Sequence, residues 1–397
     1  MWSTKLPQVA DITVIVKRAA VQAGFDLAGV APVGEFPELE YFPHWIAAGH
    51  AGDMGYMEAR NQQGELKRAS LRNAAPWARS VIVCALNYNT AQPYSTEVQD
   101  ATRGWISRYA WSVRDYHQVV LEKLHSVERR IREYCSMLSQ PDGGTSVGSE
   151  PIAPRMSPPH YGDLITRCYV DTGPLVERVY AKYAGIGWIG KNTCILNQKL
   201  GSWLFLGVIL TSIELQPDLP APDRCGTCTR CIDACPTDAL IAPYKLDSNK
   251  CISYLTIEKR GTIPEELQPG MGRHVFGCDI CQDVCPWNRK APASSVADFE
   301  PRPGLVNPAL DWLAQMSAEE FRQTFRASPV RRPKLAGMRR NAVIAMGNSG
   351  DQRFLPLLEK LASDEDPVVA QTAQSALARV QDSHAQFASL TISEPID

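Results

Sequence analysis

Cys225–Pro236 reads CGTCTRCIDACP, and Cys278–Pro286 reads CDICQDVCP. The first stretch has the C-x2-C-x2-C-x3-C-P spacing of cubane iron–sulfur loops, and the second repeats it with the first cysteine missing. Such short spacings let three thiolates wrap one cluster, while the fourth, before proline, reaches across to the other. Cys225, Cys228 and Cys231 are thus assigned to cluster one, and Cys285 crosses back to complete it. Cluster two takes Cys235, Cys278 and Cys281 and lacks one ligand. Cys251 is the only other cysteine in this part of the chain, 27 positions before Cys278, and is assigned as the displaced ligand. Structural zinc also takes four cysteines. Eight thiols in a doubled C-P frame favour two 4Fe-4S clusters over zinc.

The remaining composition fits a metal protein. Of 12 cysteines in 397 residues, the other four (Cys84, Cys135, Cys168, Cys194) are scattered. That is not the dense spread of a disulfide scaffold. An apolar content of 44% is enough for two or three domains. The net charge of −2 gives no global attraction to nucleic acid, so any such binding must be local. The longest apolar run, Trp203–Leu210, is far short of the ~20 residues of a spanning helix. Asp11, Lys17 and Arg18 interrupt the apolar pattern of the N-terminus, which reads as an amphipathic helix and not a signal peptide. A cytoplasmic location with no membrane is expected.

Helical periodicity runs over 8–23 (Val9, Ile12, Val16, Ala20), followed by a short strand at Phe25–Ala31. Ser80–Tyr88 reads as a buried strand and Arg114–Leu138 as a long helix. A strand ends at Asp171, Pro174 opens a helix, and Ser202–Leu215 is an apolar strand or strand pair. The alternation predicts an α/β domain over 1–215. Residues 140–160, rich in Pro, Gly and Ser, read as a surface loop or flexible insert. The cysteine domain spans 216–298, and a helical domain 299–397. In that tail Ala342, Ala345 and Met346 recur as Ala373, Ala376 and Leu377, 31 residues on. This period suits HEAT-type helical pairs, or simply an ordinary helical cap. Arg326–Asn341 carries six basic residues and no acid. Arg331, Arg332, Lys334, Arg339 and Arg340 are candidates for binding a phosphate backbone; solvated helix-end charges are the alternative.

Clusters alone move single electrons, so a large front domain implies a second redox centre or a substrate. Val170–Leu196 (VDTGPLVERVYAKYAGIGWIGKNTCIL), Cys251–Leu267 (CISYLTIEKRGTIPEEL) and Gly277–Asn288 (GCDICQDVCPWN) resemble the epoxyqueuosine reductases. Arg108–His117 (RYAWSVRDYH) and Arg339–Asn348 (RRNAVIAMGN) fit as well, so the resemblance covers nearly the whole chain in order. The 140–160 insert is the departure. The resemblance implies an α/β cobalamin-binding N-terminal domain, a bacterial-ferredoxin-like dicluster domain and an α-helical HEAT-like C-terminal domain. It implies reduction of the epoxide of epoxyqueuosine, at the tRNA wobble position, to queuosine. The implied partners are that tRNA and an external electron donor, and a monomer is expected.

The resemblance also assigns residues. It makes Asp171 the general acid over the epoxide oxygen, its pKa raised by burial against the corrinoid. Without the resemblance, Asp171 or Thr172 would cap the helix opened by Pro174. Cobalamin contacts are implied at Arg60, Asp171, Ile195, Ser253 and Asp279. Arg60 is otherwise a solvated charge, and Ser253 and Asp279 are otherwise hydrogen-bonded within the cluster loops. Asp115 and His117 begin an Asp-x-His corrinoid signature whose glycine is absent, so no histidine ligand to cobalt is expected. His117 is then a supporting or helix-packing residue. Trp287 and Asn288 are candidates for lining a substrate channel. Two rivals are a reductive dehalogenase-like corrinoid enzyme acting on small molecules and a dicluster electron carrier. The basic tail opposes the first rival, and the front domain opposes the second.

Overall fold

The computed structural model describes residues 9–139 and 164–391; the 140–160 insert lies outside them. The front domain is built from α1 (Val9–Gln22), β1 (Leu27–Pro32), α2 (Pro37–Ala47), β2 (Ser80–Asn87), β3 (Trp105–Ile106), α3 (Tyr116–Ser139), β4 (Thr166–Tyr169), α4 (Glu177–Tyr183), β5 (Trp188–Ile189), β6 (Ile195–Leu196) and β7 (Leu204–Thr211). All eight residues of β2 are buried, as a strand covered on both faces requires. Its side chains alternate between two cores. Ile82, Cys84 and Leu86 face Val16, Val120 and Leu124 of α1 and α3. Val81, Val83 and Ala85 face Leu39 of α2 and Val179 and Tyr180 of α4.

The four-stranded sheet has the order β1-β2-β7-β4, and every pair is antiparallel. Helix–strand alternation thus identified the layers but not the strand directions, which depend on where each long connection re-enters the sheet. Ser202–Leu215 gives one strand, not two. The helix expected from Pro174 begins at Glu177, and its N-cap Val176 makes no side-chain cap bond. Asp171 and Thr172 are therefore not its cap.

The cysteine region contributes α5 (Arg230–Asp233), α6 (Ile252–Ile257), β8 (His274–Phe276) and α7 (Ile280–Asp283). The single turns α5 and α7 lie within the two cysteine motifs and pack together. The tail is α8 (Leu310–Gln315), α9 (Ala318–Thr324), α10 (Lys334–Ser349), α11 (Leu355–Leu361) and α12 (Pro367–Thr391). Ala342, Ala345 and Met346 of α10 and Ala373 and Ala376 of α12 are buried in one cluster. A Cβ at Gly347 would lie 2.8 Å from that of Ala376, so the two helices touch there.

The three segments are not separate bodies. β3 pairs in parallel with β8, Trp105 opposite His274 and Ile106 opposite Phe276. A single core joins Trp105 and Trp111 of the front segment, Val275 and Phe276 of the cysteine region, and Leu310, Phe325 and Val343 of the tail. Among the described residues no helix is long and apolar enough to cross a membrane.

Candidate active site

The cluster loops fold as their spacing suggests. All eight cysteines are free thiols. Cys231 has Cys225 and Cys228 as its thiol neighbours, and Cys285 has Cys231 and Cys225. Cys278 feels the charges of Cys251 and Cys235, and Cys281 those of Cys278 and Cys251. The eight thiols thus sort into two sets of four, with Cys251 in the second. Both donor sets suit iron–sulfur cubanes. Cys251 stands immediately before α6 as its N-cap, so the helix start fixes its direction.

The loop between β5 and β6 ties the two cluster loops together. Lys191 Nζ donates to the carbonyls of Gly226 (2.7 Å) and Cys228 (3.0 Å), and Asn192 Nδ2 to that of Cys281 (3.2 Å). Cys194, in the same loop, lies beside Cys281. Gly277, with φ 69°, precedes Cys278. A Cβ there would sit 2.5 Å from that of Ser107. Only glycine allows both the backbone turn and the close approach.

Beside the cluster-two set lies a cavity of about 410 Å³. Cys235, Cys251, Cys278, Cys281 and Ser253 line it, together with Asp171, Glu177 and Arg178. Tyr88, Tyr109, Tyr116 and Leu204–Leu206 supply broad apolar walls. A mostly apolar hollow with a few converging polar groups is the usual form of a cofactor or substrate site. Its aromatic and aliphatic walls fit the face of a corrinoid beside cluster two.

Asp171 follows β4 with φ 56°, the left-handed region that aspartate tolerates better than most residues. Its Oδ2 accepts from the Tyr116 hydroxyl and stands 4.0 Å from His117 Nε2. Burial, then the Asp171 charge, push the Tyr116 pKa well up, so this phenol keeps its proton and donates. His117 Nδ1 is 2.7 Å from Asp115 Oδ1, which orients the ring; His117 does not line the cavity. The Asp171 side chain is 53% exposed, so the protein alone does not supply the burial expected for it.

Of the other cofactor candidates, only Ser253 lines the cavity. Asp279 is 1% exposed, and its carboxylate is fully engaged elsewhere. It accepts from Trp105 Nε1 (2.9 Å), the Arg108 amide (2.7 Å) and the Ser107 hydroxyl. It anchors the β3 turn against the cluster-two loop, and through Ser107 it supports the cavity wall. Arg60 is exposed and donates to the Gly64 carbonyl at 2.7 Å. Ile195 packs in the core beneath α4. Trp287 packs edge-on against Trp188, 5.1 Å between centroids. Asn288 is fully buried and bonded to Ser202 and the Gln282 carbonyl. Neither lines the cavity.

The basic tail also divides. Arg331 and Lys334 are exposed. Arg332 pairs with Glu258 at 2.8 Å and lies over the Tyr56 ring at 5.3 Å. Arg339 makes a two-pronged pair with Asp364 and donates to the Ala314 carbonyl, which removes it from the phosphate-binding candidates. Arg340, 1% exposed, donates to the carbonyls of Leu255, Lys259 and Gly261. It holds the segment after Cys251 onto α10 and cannot reach a phosphate. The charge count of this stretch was legible, but which guanidiniums face inward depends on the packing of α10.

Residues that sequence reasoning missed include Glu177 in the cavity, Lys191 and Asn192 between the cluster loops, and Tyr56. Tyr56 is 45% exposed, with Arg68 at 5.9 Å on its ring; Arg68 also bonds the Gly173 carbonyl beside the Asp171 loop. Glu177 and Lys191 stood inside quoted stretches, but nothing in their spacing distinguished them.

The chain matches two family models, "4Fe-4S double cluster binding domain" over 224–288 and "Epoxyqueuosine reductase QueG, DUF1730" over 68–141. Among curated relatives, an epoxyqueuosine reductase of Synechocystis sp. is 43% identical over 319 residues, 79% of this chain and 98% of the relative. One from Xanthomonas campestris pv. campestris is 34% identical over 377 residues, 94% of this chain and 97% of the relative. A crystal structure of epoxyqueuosine reductase with a tRNA-Tyr epoxyqueuosine-modified stem loop superposes with a TM-score of 0.78 at 29% identity, covering 98% of this chain and 96% of that one. Relatives this similar along nearly their whole length carry the conclusion that the paired cysteine loops had begun: this chain belongs to the epoxyqueuosine reductase family.

Proposed function

We propose that this chain reduces the epoxide of epoxyqueuosine, in the wobble position of a tRNA, to the alkene of queuosine. One observation carries the reading: a single cavity is lined both by Asp171 and by all four cluster-two cysteines. Cys225, Cys228, Cys231 and Cys285 would hold one 4Fe-4S cluster, and Cys235, Cys251, Cys278 and Cys281 the other, which would supply single electrons from an external electron donor to that cavity. Cobalamin bound there supplies the low-valent cobalt chemistry that delivers two electrons to carbon. The chain's own residues hold the substrate and move protons. Asp171 acts as the acid at the epoxide oxygen, held through Oδ2 by Tyr116. Ser253, beside Cys251, is the polar contact for the corrinoid edge. One solved relative is described as having an aspartate-bearing catalytic loop swung out of its active site, which supports a mobile role for the left-handed Asp171 turn.

The stem loop bound to another relative supports an RNA substrate here. The surface that fits it includes exposed Arg331 and Lys334, and Tyr56 between Arg68 and Arg332, suited to phosphates and to a stacked base. The α10–α12 stack is read as a HEAT-like support for that surface. A cytoplasmic monomer fits such a substrate. The test uses the full chain with both clusters reconstituted, cobalamin, a chemical reductant and an epoxyqueuosine stem-loop RNA. Mass spectrometry should show the modified nucleoside losing one oxygen. An unchanged nucleoside, with a halogenated phenol reduced instead, overturns this reading in favour of a small-molecule dehalogenase.

A further inference from the structure

Removing an epoxide oxygen as water takes two electrons and two protons. The first C–O bond breaks as one proton reaches the oxygen, giving a hydroxyl. The second C–O bond breaks as another proton arrives, giving the alkene and water. The electrons come from the external donor through the clusters. A single carboxylic acid delivers one proton and is then a carboxylate, so Asp171 cannot serve both steps without being reprotonated.

Two carboxyls line the cavity among the described residues, Asp171 and Glu177. Glu177 opens α4, and its Oε1 is out of contact with water and has no hydrogen-bond partner. A buried carboxylate oxygen left unpaired is costly, and a neutral acid is much less so. We infer that Glu177 is the second proton source of the site, giving its proton into the cavity after Asp171 has given the first. The inference rests on the reductase reading above.

The charged groups around Glu177 agree. Burial, then the Asp171 charge, push its pKa up to about 7; its own amide, Arg68 and Arg178 pull the other way. A raised carboxyl pKa means that the acid form is full below about 7 and is lost as pH rises through it. When Asp171 gives up its proton its charge grows, and this favours the neutral form of Glu177 until the second step draws the proton away.

The experiment uses the full holoenzyme as wild type, Glu177→Gln, Glu177→Asp and Asp171→Asn. Infrared titration without RNA should show, beside the stretch of the buried Asp283 carboxyl, a second protonated-carboxyl stretch that disappears near neutral pH in wild type, moves to lower pH in Asp171→Asn, and is absent in Glu177→Gln. Turnover of the stem-loop RNA by Glu177→Gln should fall on the order of 10²-fold. The decline of the wild-type rate above neutral pH should vanish in that variant, and Glu177→Asp should recover part of the rate. A Glu177→Gln enzyme with the wild-type rate and pH profile sinks the inference, as does a wild-type minus Glu177→Gln difference spectrum that holds no neutral-titrating carboxyl band beyond that of Asp283. If Glu177→Gln fails to fold, the wild type and Glu177→Asp decide: the band and the alkaline decline must shift together between them, and a wild type without the band refutes the proposal. Failure of wild type to reduce the RNA at all would overturn the reductase reading, while the infrared result separately reports whether Glu177 holds the proton.

Discussion

Asp171 and Asp279 both stand beside signature motifs, and both were candidates to touch the cofactor. Asp171 ends up at a cavity wall, half exposed, with one firm donor, the Tyr116 hydroxyl. Asp279 ends up buried, with three donors from one turn of the front domain. One carboxyl stands at the cavity with a single donor; the other is locked as a joint between cluster loop and front domain. Adjacency to a motif therefore says where a residue is, and packing says which way it points.

Breaking the joint should have the largest effect. Asp279→Ala orphans three donors, two of them buried indole and amide groups, at roughly 1–3 kcal/mol each. The unfolding midpoint should drop, and iron per chain should fall below the eight of two clusters as the Cys278 loop loosens. Full iron content and an unchanged midpoint would return Asp279 to the list of cavity residues. Asp171→Asn should do the opposite: unfolding, iron and bound corrinoid stay as in wild type while turnover drops about 10²–10⁴-fold. Turnover near wild type would leave Tyr116 as the only reason for the aspartate.

The basic tail sharpens the same contrast at smaller scale. Arg340→Met removes a buried guanidinium from three carbonyls and should cost roughly 2 kcal/mol, read in chemical unfolding. Arg331→Glu should leave unfolding untouched, weaken stem-loop binding and lower the salt dependence of binding by about one phosphate contact. If Arg340→Met unfolds like wild type but loses RNA affinity, the division of the tail given above is wrong.

Much of the site was legible in advance, and unevenly so. The expected grouping of the thiols came from spacing, and the place of Cys251 from elimination. The central strand followed from the six apolar residues Val81–Leu86, whose two faces meet two helical layers. The antiparallel order of the sheet was not legible, because it depends on connections tens of residues long. Nor was the core shared by Trp105, Phe276 and Val343, which makes one body of segments that composition divides into three. Of the five cofactor candidates, Asp171 and Ser253 reach the cavity, while Arg60, Ile195 and Asp279 do not.

The sequence by itself determined the chemistry that needs only local geometry. Thiolates three residues apart on one short loop converge on a common centre whatever surrounds them, so CGTCTRCIDACP and CDICQDVCP announced two clusters. Everything that depends on direction was left to the tertiary structure. Asp171, Glu177 and Cys278 meet at one cavity only because β3 pairs with β8 and α4 lies on the sheet beside the cluster loops. Those contacts join residues far apart along the chain. Their burial and hydrogen bonds, and not the spacing of any motif, set which carboxyl faces the cavity and which holds the fold.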